Sequence, residues 1–162
     1  MTLQYKTTDI LRGGLIYTTG DTIAALLAGE FSWPRLLGIL LIGSTVYAFE
    51  IPNWFNWIDR KVQRAQGWQT ALRRTLLAIL YFNPVWIARH ILFLKLFMGQ
   101  YAAIGWNLLW VGLLSFLVNI PISLLANFTI QNKIPLHWRF VASAVFSAMM
   151  AIYYALSAVW FN

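Results

Sequence analysis

The sequence predicts an all-α integral membrane protein, one domain built as a bundle of five helices, at least four of them transmembrane. Three observations carry this: a composition too apolar for water, five apolar stretches of spanning length joined by short connections, and a one-sided distribution of positive charge. Of the 162 residues, 60% are hydrophobic and only 10% charged, and the mean hydropathy is +0.64. A soluble domain carries about 25% charged residues. So few could not cover a water-facing surface without leaving large apolar patches. A lipid-facing exterior removes the conflict. At roughly 20 residues per span, the chain has room for four or five helices and no sizeable soluble domain.

The stretches fall at about 9–29, 33–58, 71–98, 104–130 and 136–160. The first is the weakest span, because it contains Asp9, Arg12 and Asp21; a four-span version, with one helix lying in the interface, stays open. The second and fifth open at Pro34 and Pro135, and proline suits a first helical turn, where its missing N–H costs nothing. The third contains Pro84 and the fourth Pro121. An interior proline frees a carbonyl and bends the helix. Small residues at four-residue spacing mark helix contacts: Gly20, Ala24 and Ala28 form one stripe, and Ser143, Ser147, Ala151 and Ala155 another, with Ala144 and Ala148 beside it. Trp33, Trp54, Trp57, Trp68, Trp106, Trp138 and Trp160 fall near predicted helix ends, where aromatic rings anchor at headgroup level.

Charge tests the helix count independently. If all five helices cross, Lys6, Arg12, Arg60, Lys61, Arg64, Arg73, Arg74, Lys133 and Arg139 share one side, against Arg35 and Lys95 on the other. Nine against two places the N-terminus inside. The net charge of +7 is therefore read as a basic inner face, and not as nucleic-acid binding. Arg60, Lys61, Arg64, Arg73 and Arg74 form a basic inner loop suited to the headgroups of anionic membrane lipids. The N-terminal sequence lacks the apolar run and cleavage site of a signal peptide, so the first helix is expected to persist. Together with the charge asymmetry, this favours a bacterial cytoplasmic (inner) membrane over an organellar one.

The chain has no cysteine, which removes disulfides, thiolate metal sites and cysteine nucleophiles. His90 and His137 are on the order of 20 Å apart in height and cannot ligate one ion, and there is no HExxH motif, so no metal and no cofactor is expected. Neither a Gly-x-Ser-x-Gly elbow nor a phosphate-binding glycine loop is present, and no catalytic residue is assigned.

Ionisable residues inside membrane helices are costly unless paired or hydrated, so each one is a candidate functional group. At ~1.5 Å per residue, Asp21 lies roughly 18 Å in from Asp9, and Arg89 roughly 22 Å in from Arg74. An Asp21–Arg89 pair is the expected intramembrane contact. Glu50, roughly 13 Å from the inner edge, has Arg12 and Arg139 as its nearest cations by height. With His90, Asn119, Asn127 and Arg139, these residues form either interhelical clamps or a hydrated polar path.

The segment Pro121-Ile122-Ser123-Leu124-Leu125-Ala126-Asn127-Phe128, followed by Pro135-Leu136-His137-Trp138-Arg139, resembles the C-terminal signature of the Mpv/PMP family. These are small multi-helix proteins of peroxisomal and mitochondrial inner membranes, with bacterial relatives. Gly20-Asp21, Arg35, Gly43, Trp54-Phe55 and Asp59-Arg60 resemble further family positions, so the resemblance covers nearly the whole chain. It implies the helical bundle and a pore-forming or permeability-modulating role for small hydrophilic solutes. The departures are Ala48-Phe49 where the family has Gly-Pro, Ala78-Ile79 in place of Asp-Gln, and Leu124 in place of Gln. Because they make polar positions apolar, they favour a second role, a non-conducting accessory subunit or lipid-binding helper. A homo-oligomer or a larger membrane complex is the corresponding partner.

Overall fold

The computed structural model describes residues 3–62 and 67–160, with side chains to residue 152. The described residues are helical, with short turns and no strand. In order they form α1 (Thr7–Leu27), α2 (Trp33–Ile42), a π-helical turn (Gly43–Tyr47), α3 (Ala48–Lys61), α4 (Trp68–Tyr81), α5 (Pro84–Phe97), a 3-10 turn (Tyr101–Ala103), α6 (Asn107–Asn132) and α7 (Leu136–Trp160). Three helical runs are long and apolar enough to cross a membrane: Trp33–Lys61, Trp68–Phe97 and Asn107–Asn132. Leu136–Ile152 is a shorter apolar helix within α7.

Helix ends follow local chemistry. Both α1 and α5 close through a left-handed glycine, Gly29 at φ +68° and Gly99 at φ +69°. In each case the next amide reaches back across the last turn, Glu30 N–H to the Ala25 carbonyl at 2.8 Å and Gln100 N–H to the Lys95 carbonyl at 2.9 Å. Glycine stops a helix this way because it meets no Cβ penalty in that conformation. The third predicted stretch, 71–98, corresponds to the run Trp68–Phe97, interrupted by a short break. It breaks at Phe82 and Asn83, where the Asn83 side chain accepts from the Trp86 N–H at 3.0 Å and Pro84 occupies the first turn of α5. The cap and the proline together start a new helix instead of kinking an old one. Pro52 and Pro121 lie inside continuous helices.

The chain divides into two compact units, residues 1–53 with 140–162, and residues 54–139. In the first unit, α1 turns Gly13, Gly14, Tyr17, Gly20, Asp21 and Ala24 inward. A Cβ on Gly43 would stand 2.8 Å from the Gly13 carbonyl oxygen, and one on Gly13 would meet the Gly43 carbonyl. Backbone therefore crosses backbone at the π-helical turn. There the Ala48 N–H reaches back five residues to the Gly43 carbonyl, and the Tyr5 hydroxyl donates to the Ser44 carbonyl at 2.8 Å. Higher up, a Cβ on Gly20 would lie 2.8 Å from the Ala148 Cα, so the α1 stripe meets α7 at that point. Ala28 is exposed, and the side chain of Ala155 lies outside the described residues. Ile39, Tyr47, Ala48 and Ile51 are fully buried. The extended segment before α1 is held by the Asn53 amide, which accepts from the Gln4 N–H at 2.9 Å and donates to the Gln4 carbonyl at 2.7 Å.

In the second unit, α6 packs against α4 and α5. Gly112 makes the α5 contact possible: a Cβ there would meet the Pro84 carbonyl and stand 3.2 Å from the Ala88 nitrogen. On the α4 side, the Asn132 amide donates to the Ala71 carbonyl at 3.2 Å and to the Thr75 hydroxyl at 3.3 Å. Trp54 ties α3 to α4 by donating its indole N–H to the Leu77 carbonyl at 3.0 Å. Tyr81, Phe82 and Trp86 cluster at the break.

Candidate functional site

The densest chemistry of the second unit lies where α3 ends, α4 begins and α6 runs into α7. Asp59, in the last turn of α3, is the acceptor. Its Oδ1 takes a hydrogen bond from the Arg74 guanidinium and another from Arg139 Nη1 at 3.0 Å. Arg74 also donates to the Val62 carbonyl at 2.8 Å, and Arg139 Nε to the Ile134 carbonyl at 3.0 Å. The side chains of Arg74 and Arg139 are 3% and 1% exposed, against 24% for Asp59. Two buried guanidiniums thus share one carboxylate oxygen.

Around this hub, Arg60, Lys61, Arg73 and Lys133 are exposed. Among the described residues no carboxylate pairs with any of the four. This corrects the expected lipid-facing set. Arg74 is a buried tie between helices and presents nothing to a headgroup, whereas Arg60, Lys61 and Arg73 are open. Arg64 lies outside the described residues.

In the first unit, Asp21 and Arg35 form a bidentate pair, Nε to Oδ2 and Nη2 to Oδ1, both at 2.8 Å. Each side chain is under a tenth exposed. Glu30, on the connection between α1 and α2, adds a second carboxylate to Arg35 at 3.2 Å from an exposed position. Arg35 thus takes the place on Asp21 that height alone assigned to Arg89. Paired forks of this kind are the strong form of the charged hydrogen bond, and they fix the α1–α2 hairpin.

The remaining candidates lie on α3, α5 and α6. Glu50 is half-buried on α3, and Arg89 and His90 half-buried on α5. The His90 ring stacks on Trp86, one turn earlier, with centroids 5.9 Å apart. Asn119 and Asn127 on α6 donate to the carbonyls four residues back, Ser115 at 2.7 Å and Ser123 at 2.9 Å. Both amides are thereby turned onto their own helix. Asn127 is 3% exposed and Gln131, one turn on, 1%. The Asn127 Oδ1 and both polar atoms of Gln131 have no hydrogen-bond partner.

Sequence reasoning passed over Arg35, Asp59, Gln131 and Asn132 as site residues. Arg35 could have been found from the shortness of the α1–α2 connection, and Asp59 as the lone acid among the basic residues of the inner face. The arrangement as a whole can clamp helices and present fixed positive charge. Comparison with protein-family models, with characterised proteins and with solved structures gave no match in any of the three.

Proposed function

We propose that this chain is an integral membrane protein whose helical runs 33–61, 68–97 and 107–132, together with α7, cross the bilayer. In this reading it works as a non-conducting accessory subunit or lipid-binding helper, with its basic end at the inner face of a bacterial cytoplasmic membrane. The observation that carries it is the local satisfaction of polar groups. Asp21 is consumed by Arg35, Asp59 by Arg74 and Arg139, and Asn119 and Asn127 turn their donors onto their own helix. Groups that stabilise one another in this way are clamps, and a clamp has little to offer a passing solute. The basic end supplies the lipid contact, since positive residues beside a bilayer attract anionic headgroups at about 1 kcal/mol each.

Flux through purified protein in liposomes tests the reading. Solute and ion leakage equal to that of empty vesicles, with co-migration alongside a larger assembly after gentle extraction, is the expected outcome. Stepwise conductance from a single small species would overturn it.

The pore or permeability-modulating role implied by the resemblance to the Mpv/PMP family is the second reading. The Asn127–Gln131 pair favours it. Three unpartnered polar atoms on one buried face of α6 are what a hydrated path would leave, because a buried polar group without a partner is costly in a dry interior.

A further inference from the structure

One face of α4 is an open apolar groove. Trp68, Leu72, Leu76 and Leu80 recur every fourth residue along it, with Gln69, Arg73 and Leu77 as its sides. Trp68, Leu76 and Leu80 are 73%, 51% and 59% exposed, and only 11% of the most apolar window in the run Trp68–Phe97 is buried. From Trp68 to Leu80 the helix rises ~18 Å, close to half the ~30 Å thickness of a bilayer core. The groove is polar at one end only. Arg73 and Gln69 lie within its first turn and a half, and Leu76, Leu77 and Leu80 complete it.

We propose that this face is a binding site for one anionic phospholipid, its phosphate on Arg73 and one acyl chain along Leu72, Leu76 and Leu80. Charge complementarity selects the occupant. The Arg74 bond to Asp59 holds the first turns of α4 against the end of α3, so the exposed Arg60 and Lys61 belong to the same end of the unit as Arg73. The one carboxylate there is already committed to two buried guanidiniums. The exposed cations therefore stand unneutralised beside an apolar channel of leaflet depth. A zwitterionic lipid would satisfy the channel but not the charge, and free phosphate the charge but not the channel. Arginine suits the junction because its alkyl stem lies along the apolar wall while the guanidinium stays at the interface, and Trp68 sits where an indole ring anchors.

This site rests on the reading that α4 lies in the bilayer, and the two fail separately. Full-length protein that does not float with liposomes sinks the membrane reading. Protein that floats, but does not distinguish lipid charge, sinks the site alone. The test is thermal unfolding of purified protein in neutral detergent, titrated with phosphatidylglycerol, phosphatidylcholine or inorganic phosphate, with native mass spectrometry to count retained lipids. Phosphatidylglycerol should raise the unfolding midpoint and leave one lipid bound, while the other two should do neither. Arg73→Gln should weaken the phosphatidylglycerol effect about fivefold. The double change Leu76→Ala and Leu80→Ala should also weaken it, with every charge retained. Equal stabilisation by phosphatidylcholine, stabilisation by phosphate alone, or an unchanged response in both variants would overturn the proposal.

Discussion

Replacing Asp59 by Asn removes a charge while keeping the size of the side chain and one acceptor oxygen, so it isolates the role of that carboxylate. Its Oδ1 is shared by Arg74 and Arg139, which are 3% and 1% exposed. Removing one partner of a buried ion pair costs about 3–5 kcal/mol, because the other charge is left uncompensated. Two opposing effects adjust that range here. Two guanidiniums lose this carboxylate instead of one, which raises the cost. Asp59 is itself 24% exposed, so solvent already screens the interaction and lowers it. We expect a net loss of about 3 kcal/mol, roughly a hundredfold in the folded-to-unfolded ratio. Reversible denaturant unfolding in mild detergent measures it. Combining Asp59→Asn with Arg139→Gln should recover part of the loss, with a coupling of at least ~0.5 kcal/mol. A single-variant loss within ~0.5 kcal/mol of zero, the usual range for an uninvolved surface residue, would refute the hub.

Three further outcomes are expected. Asp21→Asn should destabilise the protein by about 2–4 kcal/mol, and Arg35→Gln in the same chain should restore part of this; coupling to Arg89→Gln in place of Arg35→Gln would reinstate the pairing expected from height. Gly20→Leu should unfold the first unit at a markedly lower temperature, because its side chain would enter the Ala148 backbone, while Gly29→Ala, at an open turn, should cost only the strain of a left-handed non-glycine, about 1 kcal/mol. Gln131→Leu decides between the two functional readings by the same unfolding assay. In a dry interior, removing two unpartnered polar atoms should stabilise the protein by about 1–2 kcal/mol; no gain, together with altered solute flux, would favour the hydrated path.

Much of the fold was legible in the sequence because long apolar stretches make the code simple. A stretch that must satisfy its own backbone in hydrocarbon has to be helical, so apolar length alone located the long runs. That Gly20 and Ala148 lie on packing faces was legible from the small residues around them, but that the two meet was not. Ion pairing was read less well. Height along a helix gives depth but not azimuth or reach. Asp21 lies six residues, ~9 Å, before the end of α1, and Arg35 sits in the first turn of α2. A guanidinium on a long stem closes that gap across the short connection, so a partner in the adjacent helix won over one at equal height. The Asn83-Pro84 break was readable in principle, as a capping side chain followed by a first-turn proline. The π-helical turn was not. Nothing in Gly43-Ser44-Thr45 announces it, and it exists where α1 brings Gly13 against Gly43.

The distribution of charge along the run Trp33–Lys61 supports clamping as the proposed reading. Arg35 is its third residue and Asp59 its third from last. Between them, residues 36–58 contain one acidic or basic residue, Glu50, over a rise of ~34 Å. A bilayer core is ~30 Å thick. In the proposed membrane reading each end of the run delivers its charge near the polar boundary, where desolvation costs least, and each charge is met by a partner from another helix: Asp21 from α1, Arg74 from α4 and Arg139 from α7. A solute path asks for the opposite distribution, with polar groups at mid-depth and unbound until the solute arrives. The ends of this run carry the bidentate Arg35–Asp21 pair and the Asp59 hub. That distribution supports the proposed role, in which polar residues fix helix partners, and it makes the surface of α4, with its exposed cations, the proposed contact with lipid.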